Sequence, residues 1–215
     1  MAEEKGAAGM LTYEPMRPEE RCDCVELAAR AFADYEYFSL YVPEDKRRLR
    51  FLRAMLASEF YANADRACFF TVKKDGKLVA VTMLCDPDYK KPTGMEYMKA
   101  GYGKVFLHGG IRNVSAWDAM EAEALKPCRS LAGKAWYLNL LTVDPHFEGQ
   151  GIGSAVLREH IIPYVRKQGG EVLCLFTNSE RNRKFYQKNG FEEFHAQQFS
   201  YKGKNIGSWS YRLQL

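Results

Sequence analysis

The chain lacks an apolar run long enough to cross a bilayer, and MAEEKGAAGM at its start lacks the apolar core of a secretion signal. Its six cysteines form no CxxC pair; Cys22 and Cys24 are one residue apart, a poor zinc spacing, and no HxxxH accompanies them. Histidine is scarce, with four in the chain, so no metal site is expected. The net charge is only +4, from 31 basic and 27 acidic residues, too small an excess to argue for nucleic acid. These absences point to a reduced, cytoplasmic protein whose cysteines pack, with neither membrane nor nucleic acid as partner.

What is present suits a packed core: 47% of the 215 residues are hydrophobic and 27% charged. Residues 1–10 read as a flexible leader and 11–215 as one domain. LTYEP (11–15) reads as a first strand. RPEERCDCVELAARAF and EDKRRLRFLRAMLASEFYANA read as amphipathic helices, the second with Leu49, Leu52, Leu56 and Phe60 on one side. ACFFTVKKDGKLVAVTMLCDP reads as a hairpin turning at Asp75-Gly76. Residues 86–134 are glycine-punctuated, then helix-like, and could form an interface or a lid. The remainder alternates strand, helix, strand, helix and two strands, so an α/β fold with a mixed sheet is expected. Pro163 should kink or break the helix GIGSAVLREHIIPYVRKQ.

The most informative stretch is VDPHFEGQGIGSAVL, residues 143–157. A triphosphate loop needs GxxxxGK[ST], and no lysine follows these glycines. A dinucleotide loop needs a third glycine or alanine, and Ser154 or Val156 stands there instead. What remains is a structural turn or a diphosphate cradle. In a cradle, Gly149, Gly151 and Gly153 leave the backbone N–H groups of 149–154 open, and a helix beginning near Gly151 adds its positive end.

The run VDPHFEGQGIGS after a strand, followed by NSERNRKFYQKNGF, resembles the GNAT superfamily of acetyltransferases. Within it, YLNLLTVDPHFEGQGIGSAVL, TNSERNRKFYQKNGF and AFADYEYFSLYVPEDKRR are similar to the puromycin N-acetyltransferase-like group. The resemblance implies a single-domain GNAT fold, with a mostly antiparallel sheet of six to seven strands, helices on its flanks and splayed central strands. It implies acetyl-CoA as cosubstrate, with its diphosphate on Gly149, Gln150, Gly151, Ile152, Gly153 and Ser154. The pantetheine arm would pair with the strand edge at Leu141, Thr142 and Val143, and would meet Asn178, Asn182, Phe185 and Tyr186. Glu148 departs from the family pattern, which has Gln or Arg there. A carboxylate beside a diphosphate must turn away or be paired with a cation.

Transfer to a primary amine needs a proton acceptor, because at pKa near 10.4 about one amine in a thousand is free at neutral pH. The resemblance implies that Tyr186 reaches the CoA sulfur. A tyrosine near 10 against a thiol near 8.5 makes full proton transfer uphill by roughly 2 kcal/mol, so a hydrogen bond or late transfer is expected. The Leu141 N–H is the candidate for the thioester oxygen. Strand alternation places Tyr137, Asn139 and Leu141 on one face, so Tyr137 and Asn139 are candidates for positioning the amine. Tyr35, Tyr37, Phe38 and Tyr41 are candidates for the acceptor pocket. The base is unassigned, with Asp34, Glu36, His108 and His195 as fallbacks. The expectation is direct acetyl transfer in a ternary complex to a small-molecule amine, by a monomer or homodimer. The alternatives are a protein N-acetyltransferase and a non-catalytic acyl-CoA sensor.

Overall fold

Asp75 and Gly76 both adopt positive φ, 52° and 78°, as a two-residue hairpin turn requires. The turn joins β2 (Cys68–Lys74) to β3 (Lys77–Cys85), and β1 (Leu11–Pro15) pairs with β2. The computed structural model describes residues 10–215, so the leader expected over residues 1–10 lies, except for Met10, outside the described residues. With β4 (Ala135–Val143), β5 (Val172–Thr177), β6 (Glu192–Tyr201) and β7 (Lys204–Gln214), the sheet runs β1-β2-β3-β4-β5-β7-β6. β4 and β5 pair in parallel and the remaining neighbours antiparallel.

One face of the sheet packs on α1 (Arg21–Ala31), α2 (Glu36–Ser39), α3 (Asp45–Ala62), α5 (Gly103–Gly109) and α6 (Ile111–Arg129). Leu27, Phe51, Phe60 and Trp117 dominate that core. α4 (Gly94–Lys99) precedes α5, so residues 86–134 are largely helical. The other face packs on α7 (Ile152–Ala155), α8 (Ile162–Lys167) and α9 (Glu180–Lys188) through Leu157, Ile161, Val165 and Tyr186. Among the described residues no helix is long and apolar enough to cross a membrane.

Three local expectations change. Pro163 does not stop its helix; a π-helical turn, Val156–Ile161, links α7 to α8 and absorbs the missing N–H. Arg48, in the basic run KRRLR (46–50) where solvated surface is the ordinary expectation, is buried. Its guanidinium donates to the carbonyls of Ala33, Val42 and Pro43 and to Asp45. β4 also does not alternate throughout. Met83 pairs with Leu140 and Leu84 with Leu138, so Asn139 is an extra residue in a β-bulge. Leu138 therefore packs in one core and Leu140 in the other. Tyr137 and Leu141 consequently lie on opposite faces, because a one-residue insertion inverts every side chain beyond it.

Candidate functional site

β4 and β5 pair only from Ala135↔Val172 to Tyr137↔Cys174. Beyond Tyr137 the two no longer pair with each other; β4 runs on to Val143 beside β3 and β5 to Thr177 beside β7, and the sheet opens into a V. At the tip of β4, Asp144 fixes the exit. Its carboxylate accepts from the His146 N–H at 3.0 Å and from Arg30 at 2.9 Å, and the chain turns through Pro145–Phe147 into the glycine loop.

The three glycines have different jobs. Gly149 and Gly151 have φ of +76° and +77°, and an added Cβ at either would meet nothing within 4 Å. They are needed for backbone conformation, and they leave open space above them. Gly153 has ordinary helical geometry, but a Cβ there would lie 3.2 Å from Phe185 Cζ. It lets α9 approach α7, so its missing side chain serves packing. The Glu148 carboxylate is paired, accepting from Arg181 at 2.8 Å, one of the two arrangements the cradle demanded. Gln150 accepts from Lys74 at 3.0 Å, bringing a cation from the β2–β3 turn beside the loop.

Below the V lies a cavity of about 1070 Å³, walled by β3, β4, β5, α2–α6 and α9. Asn139, Leu141, Asn182 and Tyr186 reach it from the sheet and α9; Tyr35 and Phe38 close it from α2 and the residue before it. Tyr186 is buried, its ring 5.0 Å from Phe185 and 5.4 Å from Phe191. Its hydroxyl makes no hydrogen bond to protein among the described residues. Burial, with Tyr35 adding a smaller push, holds that hydroxyl well above the usual tyrosine range, so it stays a proton donor at any working pH.

The sequence matches the family described as acetyltransferase (GNAT) domain over residues 65–193, more than half the chain. The chain belongs to the GNAT family of acetyltransferases. No curated protein matches it. Solved structures share its fold at low identity. The ribosomal-protein alanine N-acetyltransferase from Escherichia coli is 16% identical, with a TM-score of 0.55, covering 95% of this chain and 94% of that one. The histone acetyltransferase HPA2 and related acetyltransferase from Corynebacterium glutamicum is 18% identical, with a TM-score of 0.62 and coverage of 93% and 94%. An agmatine N-acetyltransferase is 12% identical, with a TM-score of 0.62 and coverage of 95% and 99%. The seven-stranded, mostly antiparallel sheet flanked by helices is the GNAT fold, and the protein is an N-acetyltransferase.

In this acetyltransferase several residues expected at the ligand also have partners within the protein. The Asn178 side chain donates to the Gly207 carbonyl at 2.7 Å, and its backbone N–H donates to the Tyr35 hydroxyl at 2.9 Å. It ties β5 to β7 and to the residue before α2; it does not cap α9, and Ser179 at the cap position makes no side-chain bond either. The Thr142 hydroxyl donates to Val81 at 3.4 Å, toward β3 and away from the V. Tyr41 is buried against Tyr201 and is absent from the cavity wall. None of the fallback bases, Asp34, Glu36, His108 and His195, lines the cavity.

The carboxylates that do line it were missed. Glu59 on α3 and Asp118 and Glu121 on α6 face the cavity, as does Asp86 after β3. Glu59 accepts from the Tyr97 hydroxyl at 2.8 Å and Asp118 from Tyr102 at 2.6 Å. Burial raises the pKa of both, with those hydrogen bonds partly offsetting it. Burial also lifts Glu121 to about 7, against the pull of Lys91 and Arg129. A signal existed: Trp117, Glu121, Ala124 and Cys128 follow helical spacing, so Glu121 interrupts an otherwise apolar stripe.

Proposed function

We propose that residues 11–215 act as one domain that transfers the acetyl group of acetyl-CoA to a primary amine of a small molecule, by direct attack in a ternary complex in the cytoplasm. The observation that carries this is the deep, aromatic-walled cavity meeting the V of β4 and β5. A peptide acceptor calls for an open groove, whereas concave apolar pockets with a few polar groups suit small ligands. The finer likeness to the puromycin N-acetyltransferase-like group belongs to the same reading.

Acetyl-CoA supplies a thioester carbon open to attack and a thiol as leaving group. The chain's own residues fit around it. The open N–H groups of Gly149, Gln150, Gly151, Ile152, Gly153 and Ser154 suit a diphosphate, helped by the positive end of the helix beginning at Ile152. The unpaired edge of β4 at Leu141, Thr142 and Val143 suits the amide-bearing arm, as an added strand would. Asn182 and Phe185 flank that path. The Leu141 N–H donates to the thioester oxygen as charge grows on it, a contribution worth about 3 kcal/mol for one well-aimed donor. The Tyr186 hydroxyl donates to the sulfur as it leaves. Its raised pKa makes a retained hydrogen bond more favourable than full transfer. Asn139, on the bulge, and Tyr137, at the apex, orient the amine from the cavity side.

The test is release of free thiol from acetyl-CoA against parallel panels of small amines and peptides. Turnover of small amines is expected. Turnover of peptides alone would replace the small acceptor with a protein one. Binding of acetyl-CoA without turnover of any acceptor would leave a sensor.

A further inference from the structure

The cavity is larger than the reacting amine and thioester need, and its far wall is unusually charged. Four carboxylates, Glu59, Asp86, Asp118 and Glu121, face two cations, Lys91 and Arg129. Glu59 and Asp118 each have one tyrosine donor. Glu121 accepts no hydrogen bond from protein among the described residues. Beside it, the Tyr37 hydroxyl and Trp117 Nε1 are also buried with no partner among those residues, although Tyr37 and Trp117 are each only 4% exposed. Trp117 lies one helical turn from Glu121, and the Tyr37 and Trp117 rings are 6.2 Å apart. Burying unpartnered polar groups beside an unpaired carboxylate is costly unless something occupies the space.

The placement of this wall gives its purpose. Burial first, then the Glu121 charge, raises the Tyr37 hydroxyl; burial foremost, with Cys128 and Glu121 behind it, raises Tyr137. Glu121 lines the same cavity as Tyr137, and Cys128, two turns further along α6, accepts from the thiol of Cys174, the residue paired with Tyr137 at the closed apex of the V. Leu141 lies four residues further along β4, about 13 Å on a regular strand and somewhat less across the bulge. That separation is too long for Glu121 to take a proton from an amine attacking at Leu141. It matches the two ends of one extended molecule.

We propose that Glu121, with Glu59 and Asp118, seats a second cationic group of the acceptor, so that the substrate is an extended primary amine carrying an ammonium or guanidinium about ten ångströms from the reacting nitrogen. Aromatic faces line the way between, from Tyr137, Phe38 and Tyr35, and suit an aliphatic chain with charged ends. The charged groups facing Glu121 from the surrounding elements are Glu59, Asp118, Lys91 and Arg129, with Tyr37 and Tyr137 as neutral neighbours. A cation arriving among them favours ionised carboxylates, so binding near neutral pH releases protons.

This inference deepens the acetyltransfer reading and rests on it, yet its test is separable. Binding of 1,8-diaminooctane and of octylamine to the protein is measured by calorimetry in buffers of different ionisation heat, and thiol release from acetyl-CoA is followed separately. The diamine is expected to bind at least tenfold tighter, with proton release, and Glu121→Gln is expected to remove most of that preference while leaving octylamine affinity unchanged. Equal affinity for the two amines overturns the proposal, as does a Glu121→Gln variant that weakens both alike. Glu59→Gln, measured alongside, keeps the test usable should Glu121→Gln fail to fold. Diamine preference without thiol release would sink the acetyltransfer reading and leave the cation seat standing.

Discussion

Gly151→Ala separates backbone conformation from steric space in the glycine loop. Gly151 has φ +77°, and an added methyl would meet nothing within 4 Å, so no clash contributes. The penalty is conformational, about 1–2 kcal/mol for an L-residue in the left-handed region. At this chain length 1 kcal/mol moves Tm by about 2–4 °C, so a drop of roughly 2–8 °C is expected. Gly151→Asn should recover part of it, since asparagine visits that region more readily. Gly153→Ala is the counter-case. Its backbone gains about 1 kcal/mol of helix propensity, but its Cβ presses Phe185 at 3.2 Å and through it Tyr186. Gly153→Ala should therefore hold its Tm while losing turnover, and Gly151→Ala should lose Tm and acetyl-CoA affinity together. Thermal melts and steady-state kinetics on the three variants read both quantities. An unchanged Tm in Gly151→Ala refutes the conformational argument.

Other outcomes follow from single contacts. Tyr186→Phe removes a hydroxyl that makes no protein hydrogen bond, so Tm should hold while kcat falls about a hundredfold; an unchanged kcat places the thiol's proton donor elsewhere. Asn178→Ala leaves the half-buried Gly207 carbonyl without its donor and should cost about 1–3 kcal/mol in chemical denaturation, and acetyl-CoA KM should not move. Glu148→Gln breaks an exposed pair with Arg181, so stability should change little, while KM for acetyl-CoA falls because one negative charge leaves the loop and one arginine is freed. A rise in KM would mean that the carboxylate serves the loop. Glu121 has a folded pKa near 7 against an ordinary 4.5. Its contribution to stability is present below about pH 4.5 and is lost as pH rises through 7, because the unfolded chain ionises first. Glu121→Gln does not ionise, so its Tm should gain on the parent's across that window, and a constant gap would argue against a buried acid.

Much of the architecture was legible because local chemistry and global fold agree. Asp75-Gly76 specifies a hairpin turn alone, and Gly190, at φ +87° just beyond α9, supplies the left-handed residue that commonly ends a helix. The loop's backbone demands were legible at Gly149 and Gly151, because glycine is chosen where φ must be positive. The bulge at Asn139 was not, since it is a mismatch between two strands and leaves no mark on either. The tie from Asn178 was equally hidden, since its partner, Gly207, lies 29 residues away on another strand. The missed acids differ. Glu121 was visible as a charge within an apolar helical stripe, but α3 and α6 had to come together before it had company.

The three residue pairs joining β4 to β5 carry a further consequence. On one side lie β1 to β4, all within residues 11–143; on the other lie β5, β6 and β7, all within 172–214. Each group is contiguous in sequence, and the helical passage through α7 and α8 is the covalent tether between them. The sheet is therefore two sub-sheets stitched along one short seam, with backbone edges free beyond it. Mechanical compliance should concentrate there. Amide exchange should be fastest at the unstitched edges of residues 138–143 and 175–177, and any molecule lodged between those edges works as a splint across the fold.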